Sequence, residues 1–235
     1  MADKEKQPDF NFTTSHRVSY ADILEPRSYQ KKGQPKGDPR YSGTFLIDPN
    51  DPDLAKLKAE VNALLIANNT SGKKLKVGRL TEEQEAKNTH VEIQVPWKSG
   101  DKEADRMKAA GKDGEVFRGL VLLKASSKYQ PALAALDAGK LLEFSTPESI
   151  AVSKKYFYSG AYLVPSVGLH YYRGDAGKPD GVSLYLNAVM FAKHGPRLGG
   201  RSVNAAETFK GYIGQIKDTD PTGGASEELD DEIAF

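Results

Sequence analysis

In the first third of the chain, apolar and polar residues alternate over short stretches, which predicts strands rather than helices. Residues 17–24 (RVSYADIL) have the composition of a strand, and Glu25-Pro26 is expected to end it. Residues 41–48 (YSGTFLID) put Tyr41, Gly43, Phe45 and Ile47 on one face of a second strand. Between them, residues 27–40 hold Gly33, Pro35, Gly37 and Pro39 among Arg27, Lys31, Lys32, Lys36 and Arg40. The pair therefore reads as a hairpin with a long basic loop. The period then changes: Asp51-Pro52 supplies an N-cap and a first-turn proline, and Leu54, Leu57, Val61, Leu64 and Leu65 recur at helical spacing until Asn68-Asn69-Thr70-Ser71-Gly72. This helix is expected to pack on the sheet and to do no chemistry.

Residues 73–90 are polar and show neither period. Val91, Ile93 and Val95 alternate in a short strand closed by Pro96, and Trp97 opens a charged loop or frayed helix running to residue 115. Val116 to Ala125 (VFRGLVLLKA) reads as a buried strand, Ala132 to Phe144 as containing a short helix, and Ser145 to Val152 as loop. An aromatic-rich block runs from Ser153 to Arg201. Within it, residues 182–193 alternate, with Val182, Leu184, Leu186, Ala188 and Met190 on one face and Ser183, Tyr185, Asn187, Val189, Phe191 and Lys193 on the other. About five or six strands result, with no internal repeat. The fold class expected is mainly β, an OB-fold-like antiparallel small barrel with long loops and one or two inserted helices.

Composition excludes more than it assigns. Cysteine is absent, which removes disulfides, thiolate chemistry and cysteine-based metal sites, and suits a reducing cytoplasm. The polar start (MADKEKQPDF) has no apolar signal region, and no apolar run is long enough for a membrane span. The net charge of +1 hides a partition. Residues 218–235 hold seven of the 32 acidic residues and no Lys or Arg, which leaves 33 basic against 25 acidic residues, a net +8, on residues 1–217. Such a tail cannot bury enough apolar surface to offset its ordering entropy, so residues 218–235 are expected to be a disordered acidic tail. Residues 1–16 are expected to be a flexible N-terminus, and 17–217 the barrel domain. The ending Asp230-Asp231-Glu232-Ile233-Ala234-Phe235 departs from a plain acidic brush, because Ile233 and Phe235 suit docking into a basic-rimmed pocket.

Catalysis finds little support. His16, His90, His170 and His194 are far apart and show no metal-ligand spacing; carboxylate pairs such as Asp48/Asp51 and Asp101/Asp105 fall in loops. Residues 195–200 are glycine-rich but lack the Gly-Lys-Ser/Thr ending of a phosphate loop. No enzyme, metal or cofactor is expected. Binding is better supported, since a groove that tracks a single strand needs π-faces for bases and cations for phosphates. Aromatics and cations interleave at Arg40-Tyr41, Trp97-Lys98, Phe117-Arg118, Lys128-Tyr129, Lys154-Lys155-Tyr156-Phe157-Tyr158 and Tyr172-Arg173, with Lys124 on the most apolar run. Phe45, Phe144 and Phe191 suit the core instead. Tyr156 and Tyr158 are expected to share one face beside two lysines, ahead of Ser159-Gly160, and so to suit the DNA rather than the core.

The segments RVSYADILEP, YSGTFLID, GLVLLKASSK, YFYSGAYL, GVSLYLNAVMF and GPRLGGR, in this order, resemble phage-encoded single-stranded-DNA-binding proteins. The last six residues separately resemble the C-terminal tip of the bacterial ones. The resemblance implies an OB-fold, sequence-nonspecific protection of single-stranded DNA in phage replication, recombination or repair, and a location in the cytoplasm of the bacterial host. It also implies that Asp230, Asp231, Glu232, Ile233 and Phe235 recruit replication or recombination proteins. The segments 124–128 and 156–160 are the DNA-facing positions it favours. A monomer or dimer is expected from the long loops. A strand-annealing protein and, more remotely, a metal-dependent nuclease are the alternative readings.

Overall fold

The computed structural model describes residues 8–30, 36–137, 139–175, 178–198 and 210. The body ends at Gly199, and residues 200–235 form a separate unit of which only Lys210 is described. The acidic residues 218–235 and Lys31, Lys32 and Arg201 thus lie outside the described residues.

The chain opens with β1 (Asp9–Asn11), β2 (His16–Arg27) and β3 (Arg40–Ile47). Residues 9–12 are not a loose lead-in, as expected for 1–16: β1 pairs with a later strand, and Phe10 and Phe12 are buried in the core. Nor does β2 stop before Glu25-Pro26. Its register against β3 breaks between Asp22 and Arg27, and there the missing proline N–H removes no ladder bond. Helix α1 (Pro52–Asn68) has the expected cap, with the Asp51 carboxylate accepting from the Asp53 and Leu54 amides. It buries Leu54, Leu57, Val61 and Leu65, each contributing about 1.5–3 kcal/mol by leaving water.

The polar stretch after it is structured. It forms β4 (Lys74–Val77), the capped single turn α2 (Glu82–Lys87), β5 (His90–Gln94), β6 (Trp97–Ser99) and α3 (Gly100–Ala109). A side chain at residue 100 would put its Cβ 1.9 Å from the Phe117 carbonyl oxygen, so only glycine lets α3 start this close to the turn that follows it. Residues 115–117 form a 3₁₀ turn, Gly119 follows at φ +70°, and the strand expected from Val116 begins only at Val121. That strand is β7 (Val121–Ser127).

The expected helix in 132–144 is instead a hairpin, β8 (Ala132–Asp137) and β9 (Lys140–Phe144), turning through Gly139 at φ +77°. Alanine and leucine favour helix locally, yet Leu133 and Ala135 alternate into the core and pair β8 with the last strand. The expected loop 145–152 contains α4 (Pro147–Ser153), started by a reciprocal Thr146–Ser149 capping box and a first-turn proline. Strands β10 (Tyr162–Tyr172) and β11 (Asp180–Lys193) complete the body.

Five strands close a ring. The pairs β2–β3, β3–β7, β2–β10 and β10–β11 are antiparallel, and β7 meets β11 in parallel at one bridge, Ala125 to Leu184. A five-stranded ring of this kind is an OB-like barrel. Additional strands extend β11: β5, itself parallel to β4, joins its start and β8 its end, both in parallel. The architecture is thus mainly β as expected, with more strands and helices than the alternation revealed. Phe45, Phe144 and Phe191 are core residues, as anticipated. The alternation along β11 does not hold throughout, however. The register slips between Ser166–Ala188 and Val167–Leu186, leaving Asn187 as a bulge. Beyond it Val189 and Phe191, not Ala188 and Met190, are buried. Among the described residues no helix is long and apolar enough to cross a membrane.

Candidate nucleic-acid interface

The outer face of β3 and β7 divides into two parts. At one end Leu46 and Leu122 are covered by Ala104 of α3 and by Phe117, a second small core. Beyond that cover the same face is open among the described residues. The strand alternation that points Gly43, Phe45, Leu123 and Ala125 inward puts Ser42, Thr44, Lys124 and Ser126 on the opposite face, where Ser42 is itself buried and Lys124 is exposed. These four floor a groove of about 460 Å³, which Ser183 of β11 continues past the barrel closure. Its walls are Tyr20 and Tyr29 on one side, Glu103 and Arg106 of α3 above, and Lys98 and Tyr172 opposite.

Tyr20 reaches the groove by an unusual backbone. It stands at φ +50° where the β2–β3 register breaks after Ser19, so the bulge turns its ring outward instead of continuing the alternation. The ring is 45% exposed, lies nearly parallel to Phe117 at 6.4 Å, and points its hydroxyl at Met107 Sδ, 3.8 Å away. Tyr29 is 57% exposed. Its hydroxyl donates to the buried carboxylate of Asp22, and Lys124 Nζ lies 5.7 Å from its ring centroid. Partial burial and the bond to Asp22 push its hydroxyl pKa up to about 12, so it remains a neutral donor across the biological pH range. Tyr172 donates to Gln94 Oε1 at 3.0 Å, and burial raises its pKa as well. Three cations, Lys98, Arg106 and Lys124, face one carboxylate, Glu103, which Arg106 holds at 2.9 Å and keeps ionised below its ordinary range. Open tyrosine rings beside cations, with hydroxyls between, form a surface suited to unpaired bases and phosphates together.

Of the residues expected at the interface, this groove brings together Lys98, Lys124 and Tyr172. Trp97 does not join them. It is half-buried against the core, with Lys58 Nζ 5.9 Å from its ring. Tyr41 lies in the row of β3 that carries Gly43 and Phe45, opposite the groove, and Arg40 opens that strand. Arg118 is held by Glu115 and Asp105, each at 3.0 Å, outside the groove. Lys128 and Tyr129 follow the end of β7, where Lys128 pairs with Asp38 at 3.1 Å and Tyr129 is 83% exposed. Arg173 is exposed after the end of β10.

The Lys154–Tyr158 cluster corrects the expectation most sharply. Residues 154–160 form turns and bends, and the shared face expected for Tyr156 and Tyr158 is not exposed. Tyr156 is 6% exposed and packs against Phe144 and Phe191, with Lys155 Nζ 4.7 Å from its ring. Tyr158 is half-buried and exchanges hydrogen bonds with the Gly195 backbone, while Lys154 approaches Glu25 at 3.5 Å. Sequence reasoning missed Tyr20, Tyr29 and Arg106. Only the parity of Lys124 and Ser126 against Leu123 and Ala125 could have led to the groove face. The tail residues Asp230, Asp231, Glu232, Ile233 and Phe235 lie outside the described residues.

Among solved structures, the chain is similar to the single-stranded DNA-binding protein from bacteriophage Enc34, with a TM-score of 0.52 and 15% identity over 83% of this chain and 87% of that one. It is similar also to the same phage protein in complex with ssDNA, with a TM-score of 0.53 and 15% identity over 79% of this chain and 87% of that one. A C-terminal truncation of that protein gives a TM-score of 0.51 and 14% identity over 79% and 86%. At these identities the likeness is one of fold. No curated protein matches the chain in sequence. Residues 12–223, nearly the whole barrel body and the segment after it, match the family described as Enterobacter phage Enc34, ssDNA-binding protein, and the chain belongs to that family.

Proposed function

We propose that this protein binds single-stranded DNA without sequence preference, laying the strand in the groove of Tyr20, Tyr29, Lys98, Arg106, Lys124 and Tyr172. The observation that carries this reading is the pairing of open tyrosine rings with cations on the uncovered outer face of an OB barrel. Family membership and the likeness to a phage protein in complex with ssDNA support it. Sequence tolerance follows from the contacts available, because every base offers a π-face and every nucleotide a phosphate. The role is protection of exposed strands during phage DNA replication, recombination or repair, in the cytoplasm of the bacterial host, by binding rather than catalysis. The acidic C-terminal residues, ending in Ile233 and Phe235, recruit replication or recombination proteins, and the body works as a monomer or dimer.

The test is a fluorescence-polarisation titration of labelled oligo(dT) and of a duplex of equal length, over a salt series. Single strands are expected to bind more tightly, with log affinity falling by roughly 0.7 per phosphate contact for each decade of salt. Replacing Lys98 and Lys124 by alanine should flatten that slope by about 1.4. Salt-independent binding, or equal affinity for the duplex, would sink the proposal.

A further inference from the structure

Across β2 from the groove lies a second concavity of about 360 Å³. One wall is β2 itself, with Asp22, Glu25 and Arg27; the other is the turn after α4 and the segment following β11, with Lys154, Tyr158 and Arg197. Its shape is fixed by bonds rather than by chance proximity. The Tyr158 hydroxyl holds both the amide and the carbonyl of Gly195, at 3.2 and 3.0 Å. Arg17 Nη2 donates to the Pro196 carbonyl at 2.8 Å, and the Leu198 amide to the Ser159 carbonyl at 2.8 Å. Gly160, at φ +112°, permits this close approach, since a Cβ there would fall 2.1 Å from the Pro196 carbonyl oxygen. The result lays the Arg197 guanidinium on the Tyr158 ring, 4.4 Å from its centroid, and Arg197 is exposed.

The two concavities touch through one side chain. Asp22 is buried; one of its carboxylate oxygens accepts from Tyr29, a wall of the groove, and the other holds Arg27 Nε at 3.1 Å, in the second concavity. Lys154 and Arg27 are largely exposed and, among the described residues, pair with the carboxylates of Glu25 and Asp22 respectively. The Lys154–Glu25 pair is exposed on both sides and therefore weak, which leaves Lys154 available to a phosphate, while Arg27 bonds the buried Asp22 through Nε and is itself 70% exposed. Three cations on one side of β2 thus prolong the three on the other, with Asp22 at the ridge between them.

From this arrangement we infer that the concavity is a second phosphate-binding basin, in which Arg27, Lys154 and Arg197 take the backbone of the same single strand after it crosses β2. The inference rests on the groove being a single-strand site. Bases stack chiefly in the first basin, and the second adds charge. Short strands therefore fill the groove alone, and only longer ones engage both basins.

The experiment compares the full chain with an Arg27→Gln/Arg197→Gln variant on oligo(dT) of about 4 and about 16 nucleotides, the limits of site size for one OB fold. The variant should bind the short oligonucleotide as the unchanged protein does, which also reports that it is folded. On the long one it should lose several-fold in affinity at low salt, and its salt slope should fall by about 1.4, for two phosphate contacts. Lys154→Gln alone should reproduce half of the slope change. Equal losses on both lengths, or none on the long strand, would overturn the second basin. Failure of the unchanged protein to bind either length would overturn the single-strand reading itself.

Discussion

Tyr29 offers the sharpest test of the groove, because its ring and its hydroxyl do different things. The ring is more than half exposed and stands over Lys124, while the hydroxyl is tied to Asp22. Removing a ring that stacks a base costs about 1–3 kcal/mol, which is roughly 5- to 150-fold in dissociation constant. Part of this is offset here. Losing the ring also releases Lys124 from a cation–π contact of about 0.5–1 kcal/mol at an exposed site, leaving that amine freer for phosphate. Tyr29→Ala is therefore expected in the lower half of the range, at about 5- to 30-fold weaker binding of oligo(dT). Tyr29→Phe keeps the ring and loses only its tether to Asp22, a net hydrogen bond of about 1 kcal/mol that supports the free and the bound protein alike, so most of it cancels in binding and the loss should be under about threefold. The assay is polarisation of a labelled oligonucleotide at several salt concentrations. Neither variant removes a phosphate contact, so both should keep the salt slope, whereas Lys124→Ala should flatten it by about 0.7. If Tyr29→Ala binds like the unchanged protein, or Tyr29→Phe loses as much as Tyr29→Ala, the ring is not a stacking platform.

Other expectations follow from single contacts. Glu103→Gln removes the only groove carboxylate among the described residues and frees Arg106, so single strands should bind a few-fold more tightly with a steeper salt slope; unchanged binding would place α3 outside the path. Asp53 is buried at the first turn of α1 and accepts from the amide and hydroxyl of Thr13 at 2.7 Å, bonds that hold its pKa at about 2 against 3.8. A depressed carboxylate pKa stabilises the fold fully above about pH 4 and ceases to do so as the pH falls through 2, a term of about 2 kcal/mol. Asp53→Asn should lower stability at pH 7 and flatten the acid limb of urea melts, and parallel pH curves for the two proteins would contradict this. A chain ending at Lys217 loses seven acidic residues and leaves a body of +8, so it should bind single strands at least as tightly and lose its protein partners. Weaker DNA binding by that truncation would reverse the role assigned to the tail.

The hydrophobic pattern located the hairpin β2–β3, helix α1 and the alternating start of β11, because each buries one regular face. It failed where a regular face is interrupted. The bulge at Asn187 shifts the parity within β11, and the left-handed Tyr20 breaks that of β2; neither is announced by residue type. Ala132 to Asp137 satisfies helix propensity and strand alternation alike, and only the partner strand β11 decides between them. For the proposed groove, residue type picked out three of the lining residues, Lys98, Lys124 and Tyr172. It misjudged Tyr156, since neighbouring lysines do not prevent a tyrosine from filling space between Phe144 and Phe191. Tyr29 and Arg106 reach the groove from a long loop and an inserted helix, and their convergence is a property of the closed barrel alone.

The barrel is closed between β7 and β11 by a single parallel bridge, Ala125 to Leu184, and the groove lies directly over that seam, with Lys124 and Ser126 on one lip and Ser183 on the other. A polynucleotide lying in the proposed groove would span this one-bridge join, so a loaded molecule is expected to resist opening along β11 more than a free one.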